Sequence, residues 1–162
     1  MKTIALTQGF LALVDDADYE RVSAFKWSAT KTPSNVYAVR KVRTSAGRTT
    51  SQLLHRFITG VTNPRIIVDH EDHEGLNCQR YNLRPCVHGE NNGNQLKTHG
   101  TSKYKGVSWD SSRGQWRAFI TVHNTSNFLG RFHDEREAAF AYDAAARASF
   151  GEFAHTNFPL QE

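Results

Sequence analysis

The chain has 162 residues, 38% of them hydrophobic, a formal net charge of +4 and a pI near 9.2. That length suits one ordinary domain or two small ones with modest cores. No apolar run reaches membrane-spanning length and residues 1–11 lack the pattern of a secretory signal, so a soluble intracellular protein with no membrane partner is expected.

In chain order, residues 4–14 and 36–42 predict strands. Asp15, Asp16 and Asp18 form an acidic turn. Carboxylates of this kind usually open a helix, where the dipole favours them; a cation site is the minor reading. The helix would cover 19–27. Residues 51–58 predict a short helix with Leu53, Leu54, Phe57 and Ile58 on its apolar side. Residues 91–102 are rich in Asn, Gly, Thr, Ser and Gln and read as a helix end or linker. The expected domains are 1–97 and 98–162.

Beyond the linker, 104–109 predicts a strand and 110–114 a turn. Residues 115–123 alternate strictly, with Trp116, Ala118, Ile120 and Val122 on one face and Arg117, Phe119 and Thr121 on the other. A turn at 124–126 leads to a third strand at 127–132. Asp134 caps a helix running to about Phe150, and Gly151 stops it. Small residues recur along that helix at Ala138, Ala139, Ala145 and Ala146, so it can lie close on a sheet. The expected class is α+β, with a three-stranded antiparallel sheet backed by one helix in the second half.

Charge is unevenly spread. Residues 21–68 hold no acid but nine basic residues, including Arg40, Lys41 and Arg43. Residues 103–131 hold Lys103, Lys105, Arg113, Arg117 and Arg131 against Asp110 alone, whereas 134–152 hold five acids against Arg136 and Arg147. A basic front with an acidic back suits a protein that lays one face on phosphates. The two cysteines, Cys78 and Cys86, read as ordinary reduced thiols. With His73 and His88 they could supply four zinc ligands, but the Cys-x7-Cys spacing is unusual for a structural zinc site.

The chemically informative stretch is Asp69-His70-Glu71-Asp72-His73-Glu74-Gly75-Leu76-Asn77-Cys78, then Asn82-Leu83-Arg84, then Glu90-Asn91-Asn92. Phosphodiester hydrolysis needs a base to take a proton from water and a divalent cation to offset charge on the phosphate and leaving oxygen. Histidine is the natural base near neutral pH. Carboxylate and amide oxygens suit Mg²⁺ or Mn²⁺. A strand ending in Asp69-His70 offers both functions, and a ligand from the next helix can complete the site.

These residues resemble the HNH family of ββα-metal nucleases, in particular its phage and intron-associated homing endonucleases. The resemblance covers roughly residues 1–95. It implies Asp69 as a metal ligand, His70 as general base, Asn82 as the residue holding the connecting loop, and Asn91 as second metal ligand. Asn92 is the rival for that last role and His88 a weaker one. His55, in Leu54-His55-Arg56, matches a pattern of the same branch, either as support for the site or as a DNA-backbone contact. Two departures fall in the connecting loop: His73 stands where Gly is frequent, and Cys78 where Asn is usual.

Tyr104-Lys105-Gly106-Val107, Leu129-Gly130-Arg131-Phe132, Ala141-Tyr142-Asp143-Ala144-Ala145-Ala146 and Asn157-Phe158-Pro159 resemble the AP2/ERF DNA-binding domain over about 102–159. That family presents its sheet to the major groove, with the helix behind. By match, the DNA-facing residues are Lys105, Ser108, Trp109 or Arg113, Arg117, Phe119, Thr121, Ser126 and Phe128. The acid and Arg that read bases in plant members are here Phe119 and Thr121, so bidentate reading of guanine is missing at those positions. Trp116 is expected to pack toward the helix.

Three functions follow. The first is a metal-dependent endonuclease on double-stranded DNA, nicking as a monomer or cutting both strands as a homodimer. The second is a DNA-binding regulator with an inactive nuclease half. The third is a zinc-stabilised interaction protein. The resemblance implies a phage or mobile element acting in a bacterial cytoplasm.

Overall fold

The computed structural model describes residues 1–96 and 100–159, a mixed α+β chain of two compact units, Met1–Val87 and His88–Glu162. The expected boundary at 97/98 lies outside the described residues.

In the first unit β1 (Lys2–Ala5) pairs antiparallel with β2 (Leu11–Val14), Lys2 opposite Val14. The single strand expected over 4–14 is therefore a hairpin. Gln8 and Gly9 reverse the chain at φ 63° and 76°, a conformation that glycine supplies at little cost. Helix α1 spans Asp16–Ser23 rather than 19–27. Trp27 falls beyond it because its indole N–H donates to the Val22 carbonyl at 2.9 Å while the ring buries. Asp16 and Asp18 stand in the first turn. Asp18 is buried and accepts from Arg21 and Arg80, which both also donate to the Ile58 carbonyl. That carboxylate is a structural clamp.

Strands β3 (Ser28–Lys31), β4 (Val36–Arg43) and β5 (Thr49–Leu53) form one antiparallel sheet with β4 in the centre. Helix α2 covers only Leu54–Thr59, because residues 51–53 complete the ladder opposite Val39, Arg40 and Lys41. Strands β6 (Ile67–His70) and β7 (Leu83–Cys86) make a separate antiparallel hairpin. One core joins these parts, built on Ile4, Val14, Val22, Trp27, Leu54, Ile58, Val68 and Leu83. Cys78 belongs to it, and burial pushes its thiol up to about 12, with Asp72 adding to the effect.

The second unit opens with α3 (His88–Asn94). The Gly93 carbonyl near its end accepts from Lys105 Nζ at 2.7 Å and from the His155 amide at 3.0 Å. Strands β8 (Val107–Asp110), β9 (Gln115–Val122) and β10 (Thr125–Phe132) form an antiparallel sheet with β9 in the centre. The first strand starts later than expected because Gly106 turns the chain at φ 75°. A Cβ there would collide with the Tyr142 ring. β10 starts earlier, since His123 and Asn124, both at positive φ, suffice for the hairpin turn.

Helix α4 spans Glu135–Phe150. The Asp134 side chain accepts from the Arg136 and Glu137 amides at 2.7 and 3.1 Å, satisfying two of the four orphan donors of the first turn. Ala138, Ala139 and Ala146 are fully buried, and α4 packs on β9 through them, in clusters with Val107, Ala118 and Ile120. The Asp143 carboxylate, also fully buried, accepts from the Asn157 and Phe158 amides at 2.8 and 2.9 Å and ties the chain end to the helix.

Candidate functional site

Asp69 and His70 are the last two residues of β6 and both are buried. Adjacent residues of a strand point to opposite faces, so the two side chains meet different neighbours. Asp69 lies opposite Arg84 in the β6–β7 register, and its Oδ2 accepts from Arg84 Nη2 at 2.8 Å. Arg84 also approaches Glu71 at 3.7 Å. The ion pair is largely withdrawn from water, with both side chains about a tenth exposed (11% and 10%). Such pairs are shielded far less by salt than surface pairs.

His70 meets two rings. His55 from α2 stands edge-on to it with centroids 4.9 Å apart, and Tyr37 from β4 lies 5.9 Å from each imidazole. Burial holds the His70 imidazole below its ordinary range, although Asp72 and Asp69 pull the other way. Burial also pushes His55 down to about 3, with His70 and Arg56 adding to the effect. Both imidazoles are therefore neutral at pH 7. A neutral His70 can accept a proton; a neutral His55 orients its neighbour without repelling it. At 6% exposure His55 has no surface to offer a DNA backbone.

The loop between β6 and β7 is held by side chains that replace regular structure. Asn82 is 1% exposed. Its amide donates to Asp72 Oδ1 and to the Asn77 carbonyl, both at 2.8 Å, and its carbonyl accepts from the Asp72 amide at 2.9 Å. Asp72 Oδ2 accepts from Asn77 at 2.6 Å. Burial raises the Asp72 carboxyl, but hydrogen bonds from Glu74, Asn77 and Asn82 and the nearby His70 outweigh it, so the group titrates below the usual range. From the other side Asn35 donates to the His73 carbonyl and accepts from the Gly75 amide. A Cβ at Gly75 would stand 2.5 Å from the Val36 carbonyl and 2.7 Å from the Tyr37 ring. His73, where Gly is frequent in the resembled family, sits at φ 66°.

Asp69, His70, Asn82 and His55 thus come together in the first unit. Asn91 stands on α3 of the second unit, half-buried. His88 opens that helix and is exposed. The side chain of Asn92 lies outside the described residues. Among the described residues no group of three or more His, Cys, Asp or Glu side chains is arranged to hold a metal. The Asp69 carboxylate is a hard oxygen donor of the kind that suits Mg²⁺ or Mn²⁺. Tyr37, Asn35, Asp72 and Arg84 were not singled out from the sequence. Arg84 alone carried a signal, since any hairpin joining 67–70 to 83–86 sets it opposite Asp69.

The expected DNA contacts divide. Lys41 and Arg43 are exposed on β4, on the same side of that strand as Tyr37. Arg40 is turned to the other side, and its guanidinium lies over Phe25 at 3.6 Å and over Phe57 at 4.7 Å. It also donates to Gln52 at 2.8 Å. That side chain packs against rings of the first unit and is half-buried. In the second unit Ser108, Arg117, Phe119, Thr121, Ser126 and Phe128 share the sheet face turned away from α4, paired across the strands. Arg113 is exposed in the β8–β9 turn. Lys105 turns inward: burial lowers its ammonium to about 8 and it donates to the Gly93 carbonyl. Trp109 stands opposite Trp116, with ring centroids 4.9 Å apart, and is itself 38% exposed.

No protein-family model matches the chain. The chain is 30% identical over 156 residues to a protein of Acanthamoeba polyphaga mimivirus described as an uncharacterised HNH endonuclease, covering 93% of this chain and 76% of that one. It is 44% identical over 61 residues to an AP2/ERF and B3 domain-containing transcription repressor of Arabidopsis thaliana, covering 38% of this chain and 17% of the repressor. It is also 32% identical over 98 residues to a dehydration-responsive element-binding protein of the same plant, covering 59% of this chain and 45% of that protein. The chain thus spans well under two thirds of either plant protein. No helix among the described residues is long and apolar enough to cross a membrane.

Proposed function

This chain belongs to the HNH endonuclease family, and on that premise we propose that it hydrolyses phosphodiester bonds of double-stranded DNA, with His70 as the general base and the second unit as its DNA-binding part. The observation that carries the reading is His70 itself. It is a buried imidazole at a strand end, next to a carboxylate, propped by two rings and kept neutral at pH 7 by burial.

In this reading His70 takes a proton from water as the oxygen attacks phosphorus, and the bond to the 3′ oxygen breaks. Asp69 and Asn91 would hold one Mg²⁺ or Mn²⁺, which when bound offsets charge on the phosphate and leaving oxygen. His55 and Tyr37 fix the ring plane of His70. Asn82 and Asp72 hold the loop that follows it. Similarity to the plant proteins supports DNA binding by the second unit, with Arg113, Arg117 and the outward sheet face against the duplex.

The test is cleavage of supercoiled plasmid with Mg²⁺ or Mn²⁺, comparing the native chain with His70→Ala. Loss of a general base costs on the order of 10²- to 10⁴-fold in rate, and EDTA should abolish cleavage. Equal cutting by both proteins would overturn the role of His70. Binding with no cutting under either metal would overturn the enzyme and leave a DNA-binding regulator.

A further inference from the structure

The outward face of the β8–β9–β10 sheet has an apolar centre. Phe119 on β9 and Phe128 on β10 are direct cross-strand partners, with ring centroids 5.1 Å apart and planes at 51°. Phe128 is 49% exposed, on the side of the sheet opposite α4. Thr121 and Ser126 form the next pair along this face. In the other direction comes the pair Arg117 and Arg131, whose Nε atoms lie 3.9 and 3.6 Å from Asp110 Oδ2.

Each arginine also flanks a phenylalanine. The Arg117 guanidinium carbon is 5.7 Å from the Phe119 ring, and that of Arg131 is 5.0 Å from Phe128. Two cations on one aspartate leave the rim positive, suited to phosphate. The centre presents ring edges and two hydroxyls. The guanidinium forks of Arg117 and Arg131, the commonest readers of guanine, stand one rung away beside Asp110, and the two rings themselves offer no polar group to a base edge.

A twisted β-ribbon fits the major groove of B-DNA, and thymine alone among the four bases places an apolar group there, its C5-methyl. Two tilted Phe rings in contact at the middle of a positively rimmed sheet complement that feature. We propose that Phe119 and Phe128 are specificity-determining residues that select thymine through contact with its C5-methyl group. The inference rests on the reading of the second unit as a duplex binder. It goes beyond it by naming the base and the chemical group that are read.

The test uses the full chain in EDTA, so that nothing is cut, at fixed moderate salt. Binding is measured by competition against four duplexes: poly(dA-dT), poly(dA-dU), poly(dG-dC) and poly(dG-5-methyl-dC). Uracil keeps every hydrogen-bonding group of thymine and lacks only the methyl. Burying one methyl is worth about fourfold in affinity, so two contacts predict a preference for thymine over uracil of roughly 15-fold. Phe119→Ala combined with Phe128→Ala should bring that ratio to about one. Circular dichroism and thermal melting check that this variant is folded. Phe128→Leu, which keeps an apolar tip, should retain most of the ratio.

Equal affinity of the native chain for the thymine and uracil duplexes overturns the inference and leaves DNA binding standing. Preference for 5-methylcytosine over thymine overturns the choice of base. Failure to bind any of the four overturns the duplex-binding reading, and the inference falls with it.

Discussion

His55 makes a pH prediction at the level of one residue. Its folded pKa is pushed down to about 3 by burial, against an ordinary value near ~6.5. The unfolded chain therefore binds one more proton than the folded chain between those two values. Stability is fully present above about pH 6.5 and is lost as pH falls, at about 1.4 kcal/mol per pH unit. Denaturant melts of the native chain from pH 7 to pH 4 should show at least that slope, since the buried His70 adds to it, and His55→Phe should reduce the slope. A slope unchanged in His55→Phe would mean that another group carries the acid sensitivity.

His73 offers a second test at this scale. A β-branched residue at φ 66° is strained. His73→Val should lose about 1–2 kcal/mol relative to His73→Gly, read as a difference in urea midpoint between the two variants. The departure from glycine is thus a backbone matter. Histidine is among the residues that tolerate the left-handed region better than most.

Among the elements, the loop from Glu71 to Asn82 is the one most dependent on side chains. It has one short 3₁₀ turn, Arg80–Asn82, and a backbone bridge from Leu76 and Cys78 to Leu13 of β2, and it is braced by the side chains of Asn82, Asp72, Asn77, Asn35 and Arg80. Asn82→Ala leaves the Asp72 amide, a carboxylate oxygen and the Asn77 carbonyl short of a partner. Asp72 is exposed and water can replace its lost bonds, but the Asn77 carbonyl is buried, and one orphaned buried polar group costs about 1–3 kcal/mol. The variant should lose about 1–3 kcal/mol in a urea melt and its cleavage as well, whereas Asn82→Asp should fall between it and the native chain. In the second unit, Gly106→Ala meets both a left-handed backbone and the Tyr142 ring. A loss of more than about 2 kcal/mol is expected, together with loss of DNA binding. Unchanged stability would mean that the Tyr142 ring can move aside.

For the whole molecule, the governing quantity is charge. A net charge of +4 is small, and its placement matters more. Arg113, Arg117 and Arg131 lie in the β8–β9 turn and on the sheet face turned away from α4, which carries Glu135, Glu137 and Asp143. Plotting log K against log salt for duplex binding should give a straight line of negative slope. Arg113→Ala should weaken binding to all sequences alike and reduce that slope by about one. A variant that alters the ranking of sequences instead would place Arg113 on a base edge.

The periodic and local features were legible in the chain itself. The strict alternation in 115–122, the Asp134 cap and the alanine stripe with Gly151 after it describe a central strand and its backing helix, because period and capping are properties of neighbouring residues. Asp69-His70 stood out because two chemically apt groups adjoin. Turn positions were read less well. Gln8-Gly9 splits one apolar run into a hairpin and Gly106 delays β8, since a reversal costs little in sequence signal. Which way a long side chain turns was not legible at all. Arg40 and Lys105 look like phosphate ligands in a basic stretch, yet one lies on Phe25 and the other under α3. The His55–His70–Tyr37 cluster and the Asn35 brace join residues from distant parts of the chain. Composition and motif determined which chemistry is present. Only tertiary packing decided which groups meet, because burial and partner contacts arise between segments whose separation along the chain carries no record of them.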